Sequence, residues 1–288
     1  MSRITNRNLI VDATGRLTAV GIDTPRLDAE TLLAHAAGFS RSQLVARLPD
    51  PVPDDIGARF ASFVDRRLTL EPVAYIVGEK EFYGLPFETT PATLIPRPET
   101  ELIVDRVLAL PGADRPMRVA DIGVGTGCIG ITVAARRPAW RVTGVDISPA
   151  ALAVARRNAV RHGVADRIDF VEGDGLTAVA GPLDIIASNP PYVPDDAPDV
   201  AAGVSRHEPH TALYAGPDGL DLIRRLIAEA PARLADGGVM FVEMGRDQGA
   251  AVATLVAKTS GLTLEKIVPD LAGLDRLAII RPSVSPNR

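Results

Sequence analysis

From Met117 to the end of the chain, short apolar runs alternate with stretches of helical spacing, and that alternation restricts the fold more than any other feature. The runs cover residues 119–122, 141–146, 168–172, 183–188 and 239–243. Helical patterns follow the glycines at 123–127 and cover 149–162, 218–234 and 248–259. Strands separated by helices belong to a doubly wound parallel sheet. The last two runs, 262–268 and 276–280, are joined by a loop too short for a helical crossover, so that pair is expected to be antiparallel. The fold class expected is therefore α/β, a doubly wound and mostly parallel sheet with an antiparallel last strand.

In such sheets ligands bind at the carboxyl ends of the strands. The first strand runs into Gly123-Val124-Gly125-Thr126-Gly127, a turn whose Cβ-free residues let the backbone approach a ligand closely. The spacing differs from the Gly-x-Gly-x-x-Gly dinucleotide fingerprint, and the Lys-Ser/Thr of a phosphate-binding loop is missing. Asp146 ends the second strand, 21 residues beyond Gly125, where an acid can accept hydrogen bonds from both hydroxyls of a ribose. The bland alternative for Asp146 is a cap for the helix beginning at Pro149. Asp174, followed by Gly175, stands after the third strand and is placed to meet an adenine amino group. Asp121 precedes the glycine loop, to orient it or to meet the amine of a methionine. A nucleoside without a pyrophosphate fits this set, which points to S-adenosylmethionine. Together with Asn189, the cofactor-binding candidates are Gly123, Val124, Gly125, Thr126, Gly127, Asp146, Asp174 and Gly175.

The fourth strand ends in Asn189-Pro190-Pro191-Tyr192. Two prolines cannot continue a central strand, because each lacks the N–H that the ladder needs. The chain leaves the sheet there and carries an amide and an aromatic ring at the carboxyl edge. Fixed carbonyls beside a flat apolar surface suit a planar group bearing N–H, either a carboxamide or an exocyclic amine. The bland alternative is a proline-rich turn.

Residues 1–75 are expected to form a small helical bundle with no obvious chemical group, a recognition domain. Asp23-Thr24-Pro25 is its clearest helix start and Gly38 its clearest stop. His35 falls in an apolar pattern and is expected to be packed. Residues 76–92 are expected to be a β-hairpin connector hinged around Gly84, and 93–288 the domain with the doubly wound sheet. Ile95-Pro96-Arg97-Pro98 is a rigid loop that presents Arg97, either to a site or to solvent. The net charge of −5 weighs against a protein held to nucleic acid by neutralising phosphates. One cysteine, Cys128, excludes an intramolecular disulfide and suits a reducing cytosol; it is expected to be a small packed residue. His207 and His210 have no further ligands around them, so no metal is expected. The N-terminus lacks an apolar signal core, and no run approaches the ~18 apolar residues of a spanning helix. A cytoplasmic protein without a membrane partner is the expectation.

Over nearly its full length the chain then resembles a known family. Asn189-Pro190-Pro191-Tyr192 after the fourth strand is shared with class I methyltransferases that act on amino groups. The stretches Glu71-Pro72-Val73-Ala74-Tyr75, Phe82-Tyr83-Gly84, Thr93-Leu94-Ile95-Pro96-Arg97-Pro98-Glu99-Thr100-Glu101 and Glu208-Pro209 are similar to the HemK/PrmC family of protein-(glutamine-N5) methyltransferases. The resemblance implies a class I S-adenosylmethionine-dependent methyltransferase that methylates the glutamine of the Gly-Gly-Gln tripeptide in class 1 peptide chain release factors. That partner implies a cytoplasmic monomer with no direct nucleic-acid contact. The sequence departs from the family pattern at His207, usually aromatic, and at Gly175, bulky in some members. Asn189, Pro190 and Tyr192 are then the catalytic candidates. The Asn189 side-chain oxygen and the Pro190 carbonyl would accept the two amide N–H bonds, and Tyr192 would pack on the amide plane. Asn189, Pro190, Pro191, Tyr192 and Arg97 are the substrate-binding candidates, with Phe82 and Glu208 as further residues for the groove. Two other readings stay open: an N6-adenine or N2-guanine nucleic-acid methyltransferase, and a non-catalytic binding module on the same scaffold.

Overall fold

The computed structural model describes residues 4–112, 114–198 and 201–283; the domain limits expected at Met1 and Arg288 lie outside them. The chain divides into two compact units, Met1–Glu79 with Val200–His207, and Lys80–Asp199 with Glu208–Arg288.

The first unit is helical. α1 (Asn6–Ala19) begins at Thr5, whose hydroxyl accepts from Asn8 N while Asn8 Oδ1 accepts from Thr5 N. This reciprocal pairing satisfies two backbone donors that a helix start otherwise leaves open. α2 (Pro25–Ala37) has its proline in the first turn and ends at Gly38 in the left-handed conformation, as its flanking residues predict. α3 (Arg41–Ala46) is capped by Ser40. α4 (Asp54–Leu68) places Asp54 and Asp55 in its first turn and Arg66 and Arg67 in its last, each opposing the local end of the helix dipole. α5 (Val73–Val77) is a single turn closed by Gly78. Leu17, Leu32, Leu33, Leu44 and Val64 form a fully buried core between these helices. His35 is not packed as expected: it is exposed, with its ring 5.5 Å from that of Phe63.

The second unit opens with the hairpin β1 (Glu79–Phe82) and β2 (Leu85–Glu88). Its turn residues Tyr83 and Gly84 both have positive φ, the backbone that matches a two-residue hairpin to the twist of its strands. Phe82 and Phe87 meet edge to face and are buried with Ile103 and Val107. α6 (Glu101–Leu108) follows a tight turn at Pro98–Thr100. The elements β3 (Arg118–Ile122), α7 (Cys128–Arg136), β4 (Arg141–Asp146), α8 (Pro149–Arg161), β5 (Ile168–Glu172) and β6 (Leu183–Ser188) then alternate. After β6 come α9 (Ala202–His207), which belongs to the first unit, and α10 (Asp221–Glu229). β7 (Leu234–Glu243), α11 (Gly249–Lys258), β8 (Leu262–Pro269) and β9 (Asp275–Pro282) complete the chain.

Among the described residues, seven strands form one sheet in the order β5-β4-β3-β6-β7-β9-β8. β9 lies antiparallel between β7 and β8, and the pairs from β5 through β7 are parallel. The chain builds outward from β3 through β5 and returns to β6 on the other side of β3. That reversal opens a crevice at the carboxyl ends of β3, β4 and β6. The largest departure from the sequence pattern lies between α10 and β7. The helix expected over 218–234 ends at Glu229, because Pro231 has no N–H to continue it, and β7 already begins at Leu234.

Candidate active site

The crevice is a cleft of 820 Å³, a size usual for a small-molecule site. Its floor is the turn from β3 into α7. Gly123, Gly125 and Gly127 all have positive φ, and the N–H groups of the turn are spent on the protein, with Gly123 and Val124 donating to the Val145 carbonyl and Gly127 to that of Val124. Gly127 caps α7, and a Cβ there would come 2.5 Å from Ile131 Cδ1. It lines neither this cleft nor its neighbour; Gly123, Val124, Gly125 and Thr126 line the cleft itself.

Asp146 anchors the turn. Its Oδ2 accepts from Gly125 N at 2.9 Å and its Oδ1 from Ser148 N at 2.9 Å. Burial pushes its carboxyl up, and backbone N–H groups of Gly125, Ser148 and Ile147 oppose that. The helix cap is Ser148, whose hydroxyl accepts from Ala151 N, so the alternative reading of Asp146 as that cap is set aside. Each carboxylate oxygen keeps a second lone-pair direction for a ligand hydroxyl.

Asp174 and Gly175 also line the cleft. Arg225 holds both Asp174 oxygens, at 2.5 and 2.7 Å, and this pairing keeps the carboxyl below its usual range. An adenine amino group would have to share an acceptor already in use. Asp174→Ala is therefore expected to weaken cofactor binding by no more than about tenfold, as read by calorimetry. Glycine at 175 has a local reason: its φ is +67°, and a Cβ would lie 3.1 Å from Glu229 Oε2, which accepts from Leu176 N.

Asp121 sits under the loop, 1% exposed, and does not line the cleft. Its Oδ2 accepts from Gly130 N at 2.8 Å, so it orients the first turn of α7. Its Oδ1 has no hydrogen-bond partner among the described residues. Burial pushes the carboxyl up from 3.8 to about 7. A carboxyl raised in the folded state adds stability below its unfolded pKa, and that stability is lost as pH rises through about 7. Asp121→Asn is expected to flatten the fall in melting temperature between about pH 4 and pH 7, recovering on the order of 1–3 kcal/mol at the upper end. Scanning calorimetry across that range checks it. Cys128 is buried, and its thiol is pushed up to about 12, consistent with a packed residue.

Asn189 and Arg97 line both the large cleft and a second cavity of 120 Å³, in which Pro190 and Tyr192 also take part. Pro191 faces the large cleft. Asn189 Nδ2 donates to Thr100 Oγ1 at 2.9 Å. With Nδ2 engaged, Oδ1 is the polar atom that this side chain offers. The Tyr192 hydroxyl reaches Glu243 Oε1 at 3.3 Å, and Gln248 Nε2 donates to the Tyr192 carbonyl at 2.9 Å. Gly219 must be glycine for that loop to close, since a Cβ would stand 2.2 Å from the Tyr192 carbonyl oxygen.

Two residues expected to line a groove do something else. Phe82 is 1% exposed and belongs to the core, where the hairpin pleat points it inward. Glu208 is buried too: its Oε2 accepts from Ile95 N at 3.1 Å, and its Oε1 pairs with Arg97 at 2.5 Å. It holds the Arg97 loop and is not part of the wall. Thr100 and Arg225 line the cleft, and Glu243 and Gln248 bond to Tyr192; motif reading gave none of them a role in the site. Glu243 had a signal, a charge closing the otherwise apolar run Val239-Met240-Phe241-Val242 at the same edge as Asp146 and Asn189.

Comparison with known proteins bears on both units. The family model described as PrmC N-terminal domain matches residues 8–78, and the one described as Methyltransferase small domain matches 100–205. A release factor glutamine methyltransferase of Cereibacter sphaeroides is 46% identical over 270 residues, 93% of this chain and 95% of that protein. The protein of the same name from Moorella thermoacetica is 42% identical over 95% of this chain and 97% of its own length. The one from Neisseria gonorrhoeae is 44% identical over 88% and 93%. Among solved structures, a methyltransferase from Pyrococcus furiosus superposes with a TM-score of 0.51 at 20% identity, covering 76% of this chain and 97% of that one. The hMettl16 catalytic domain in complex with MAT2A 3'UTR hairpin 6 gives 0.55 at 18% identity, covering 81% and 84%. These two likenesses show the fold, a class I methyltransferase sheet.

Proposed function

The chain belongs to the family of release factor glutamine methyltransferases, and on that premise we propose that it methylates the side-chain amide nitrogen of the glutamine in the Gly-Gly-Gln motif of class 1 peptide chain release factors, with S-adenosylmethionine as donor. The observation that carries this reading is the place of Asn189, at the junction of a nucleoside-sized cleft and a small cavity lined by Pro190 and Tyr192.

The cleft fits the donor. Asp146 offers paired acceptors for a ribose, and the turn at Gly123, Val124, Gly125 and Thr126 brings backbone close without side chains in the way. S-adenosylmethionine, when bound, supplies a methyl group on a positively charged sulfur. The chain's own work lies on the acceptor side. A carboxamide nitrogen is a poor nucleophile, since its lone pair is delocalised into the carbonyl. Asn189 Oδ1 and the Pro190 carbonyl accept its two N–H bonds and hold its lone pair toward the large cleft. Tyr192 packs on the amide plane. Orientation of this kind is worth several orders of magnitude in rate. The proton leaves after the new bond has made the nitrogen acidic, so no strong base is required. The same acceptors could hold an exocyclic base amine; the acidic net charge of −5 and the full-length likeness to release factor enzymes favour the amide. Arg97, on the rim of both cavities, is the proposed contact for the tripeptide loop, and the N-terminal helical unit, residues 1–75 in the sequence reading, the proposed recognition domain. A translation-factor substrate places the activity in the cytoplasm, and one chain supplies every residue named, so the acting form is taken as a monomer. No helix among the described residues is long and apolar enough to cross a membrane.

Labelled donor offered with a release factor, duplex DNA or RNA tests the reading. Label is expected on the release factor alone; label on nucleic acid alone would replace this reading with its rival.

A further inference from the structure

Arg97 poses an electrostatic problem. It lines both the large cleft and the small cavity, as Asn189 does. Methyl transfer from a donor in the first to an amide in the second takes place where the two meet, which puts the guanidinium next to the sulfur of a bound donor. That sulfur carries a positive charge in S-adenosylmethionine, and a guanidinium is always charged. Like charges at short range in a partly desolvated site repel strongly. An unaccompanied Arg97 would work against the donor that the cleft is proposed to hold.

The opposite charge stands behind the wall. The Glu208 side chain is 1% exposed, against 31% for Arg97. Its Oε1 meets Arg97 at 2.5 Å and its Oε2 accepts from Ile95 N at 3.1 Å, so the carboxylate is fixed to the loop that carries the arginine. Pro209, the next residue, lines the large cleft, while Glu208 lines neither cavity. Two further arginines on the cleft are also paired. Arg225 is held by Asp174, and Arg224 reaches Asp221 at 2.9 Å and Asp218 at 2.7 Å. Both of those pairs are well exposed, where water and salt screen their charge. Of the three arginines, Arg97 alone faces a buried acid, and a charge held there is screened far less.

We propose that Glu208 is a specificity-determining residue: by cancelling the charge of Arg97 it sets how well the cleft holds a cationic donor relative to its uncharged product. The inference rests on the methyl-transfer reading above. When the methyl group leaves, the sulfur keeps the bonding electron pair and becomes neutral, so donor and product differ by one methyl group and one positive charge. Arg97 has five N–H donors, and with one end engaged by Glu208 others remain for the tripeptide loop. Its hydrogen bonding is kept while its field at the sulfur is removed. The same balance decides how far accumulated product competes with fresh donor.

Calorimetry of S-adenosylmethionine and S-adenosylhomocysteine with the full chain, at about pH 8 where carboxyls are ionised, tests this without a methyl acceptor. The two ligands share adenosine, amine and carboxylate, so any loosening of the loop weakens both and cancels in the ratio of their dissociation constants. Glu208→Gln should shift that ratio about tenfold against the donor. Arg97→Gln, which leaves the acid without its cation, should shift it about threefold or more in the donor's favour. The double variant Arg97→Gln with Glu208→Gln should return to within about twofold of the wild type. Equal weakening of both ligands in a folded Glu208→Gln protein would make Glu208 a tether of the loop and overturn the inference. Should Glu208→Gln fail to fold, Arg97→Gln decides alone, and a ratio unmoved or moved against the donor overturns the inference. Wild-type protein that binds the donor and labels no release factor would sink the functional reading instead, and the ratio would still decide the role of Glu208.

Discussion

Asn189→Ala should lower kcat/KM for methyl transfer by about three orders of magnitude, while the donor dissociation constant moves by less than about threefold. Removing one preorganised polar partner of a reacting group costs on the order of 10²–10³ in rate in other enzymes. Here the loss goes further, because the substrate amide also loses the contact that sets its rotation about the Cγ–Cδ bond. The donor should be little affected, since the residues proposed to hold it, Asp146 and the turn at Gly123, Val124, Gly125 and Thr126, lie along the large cleft. Asn189→Asp is expected to be almost as poor. An aspartate cannot donate to Thr100 Oγ1. Steady-state kinetics against release factor, paired with calorimetry of the donor, separates the two effects. A large loss of donor affinity with an unchanged rate at saturation would move Asn189 out of the acceptor site.

Asp146→Ala should show the opposite pattern, with donor affinity weakened by about 10²–10³ and the saturated rate changed far less. Two hydrogen bonds from ribose hydroxyls to a partly buried carboxylate are worth about 1.5–3 kcal/mol each. Their removal also frees the backbone N–H groups of Gly125 and Ser148, which hold the glycine turn in its ligand-ready shape. Asp146→Asn should be nearly as damaging. Both Asp146 oxygens already accept a backbone N–H, and an asparagine must present its own NH2 to one of them. An Asp146→Asn protein with normal donor affinity would contradict the pairing described here.

The strand ends were readable because each is marked by a residue that a buried strand does not tolerate. Asp146 closes β4, and two prolines follow Asn189 at the end of β6. Glycine spacing and the Pro25 and Gly38 signals gave the turn and the helix limits for the same local reason, since proline fixes φ and glycine tolerates the positive φ that other residues resist. What was not readable is long-range. The Asn189 amide is oriented by a threonine 89 positions away, and Arg97 is held by a glutamate 111 positions away. No spacing rule connects such pairs; only the return of β6 beside β3 brings them together. Phe82 was misassigned to a groove because a motif residue on a hairpin faces either way, and the pleat turned this one into the core. Asp174 stands at the strand end its position predicts, yet Arg225 from α10 occupies both its oxygens. Sequence position places a side chain and leaves open what else reaches it.

The central claim is that Asn189 and Pro190 present an acceptor pair to a glutamine side chain of a release factor. Peptide mass spectrometry of a purified release factor, incubated with this protein and S-adenosylmethionine, tests it most directly. The expected result is the gain of one methyl group on the glutamine of the Gly-Gly-Gln peptide, absent with the Asn189→Ala protein. A methyl group on any other residue, or an unmodified release factor beside an active enzyme, would contradict it.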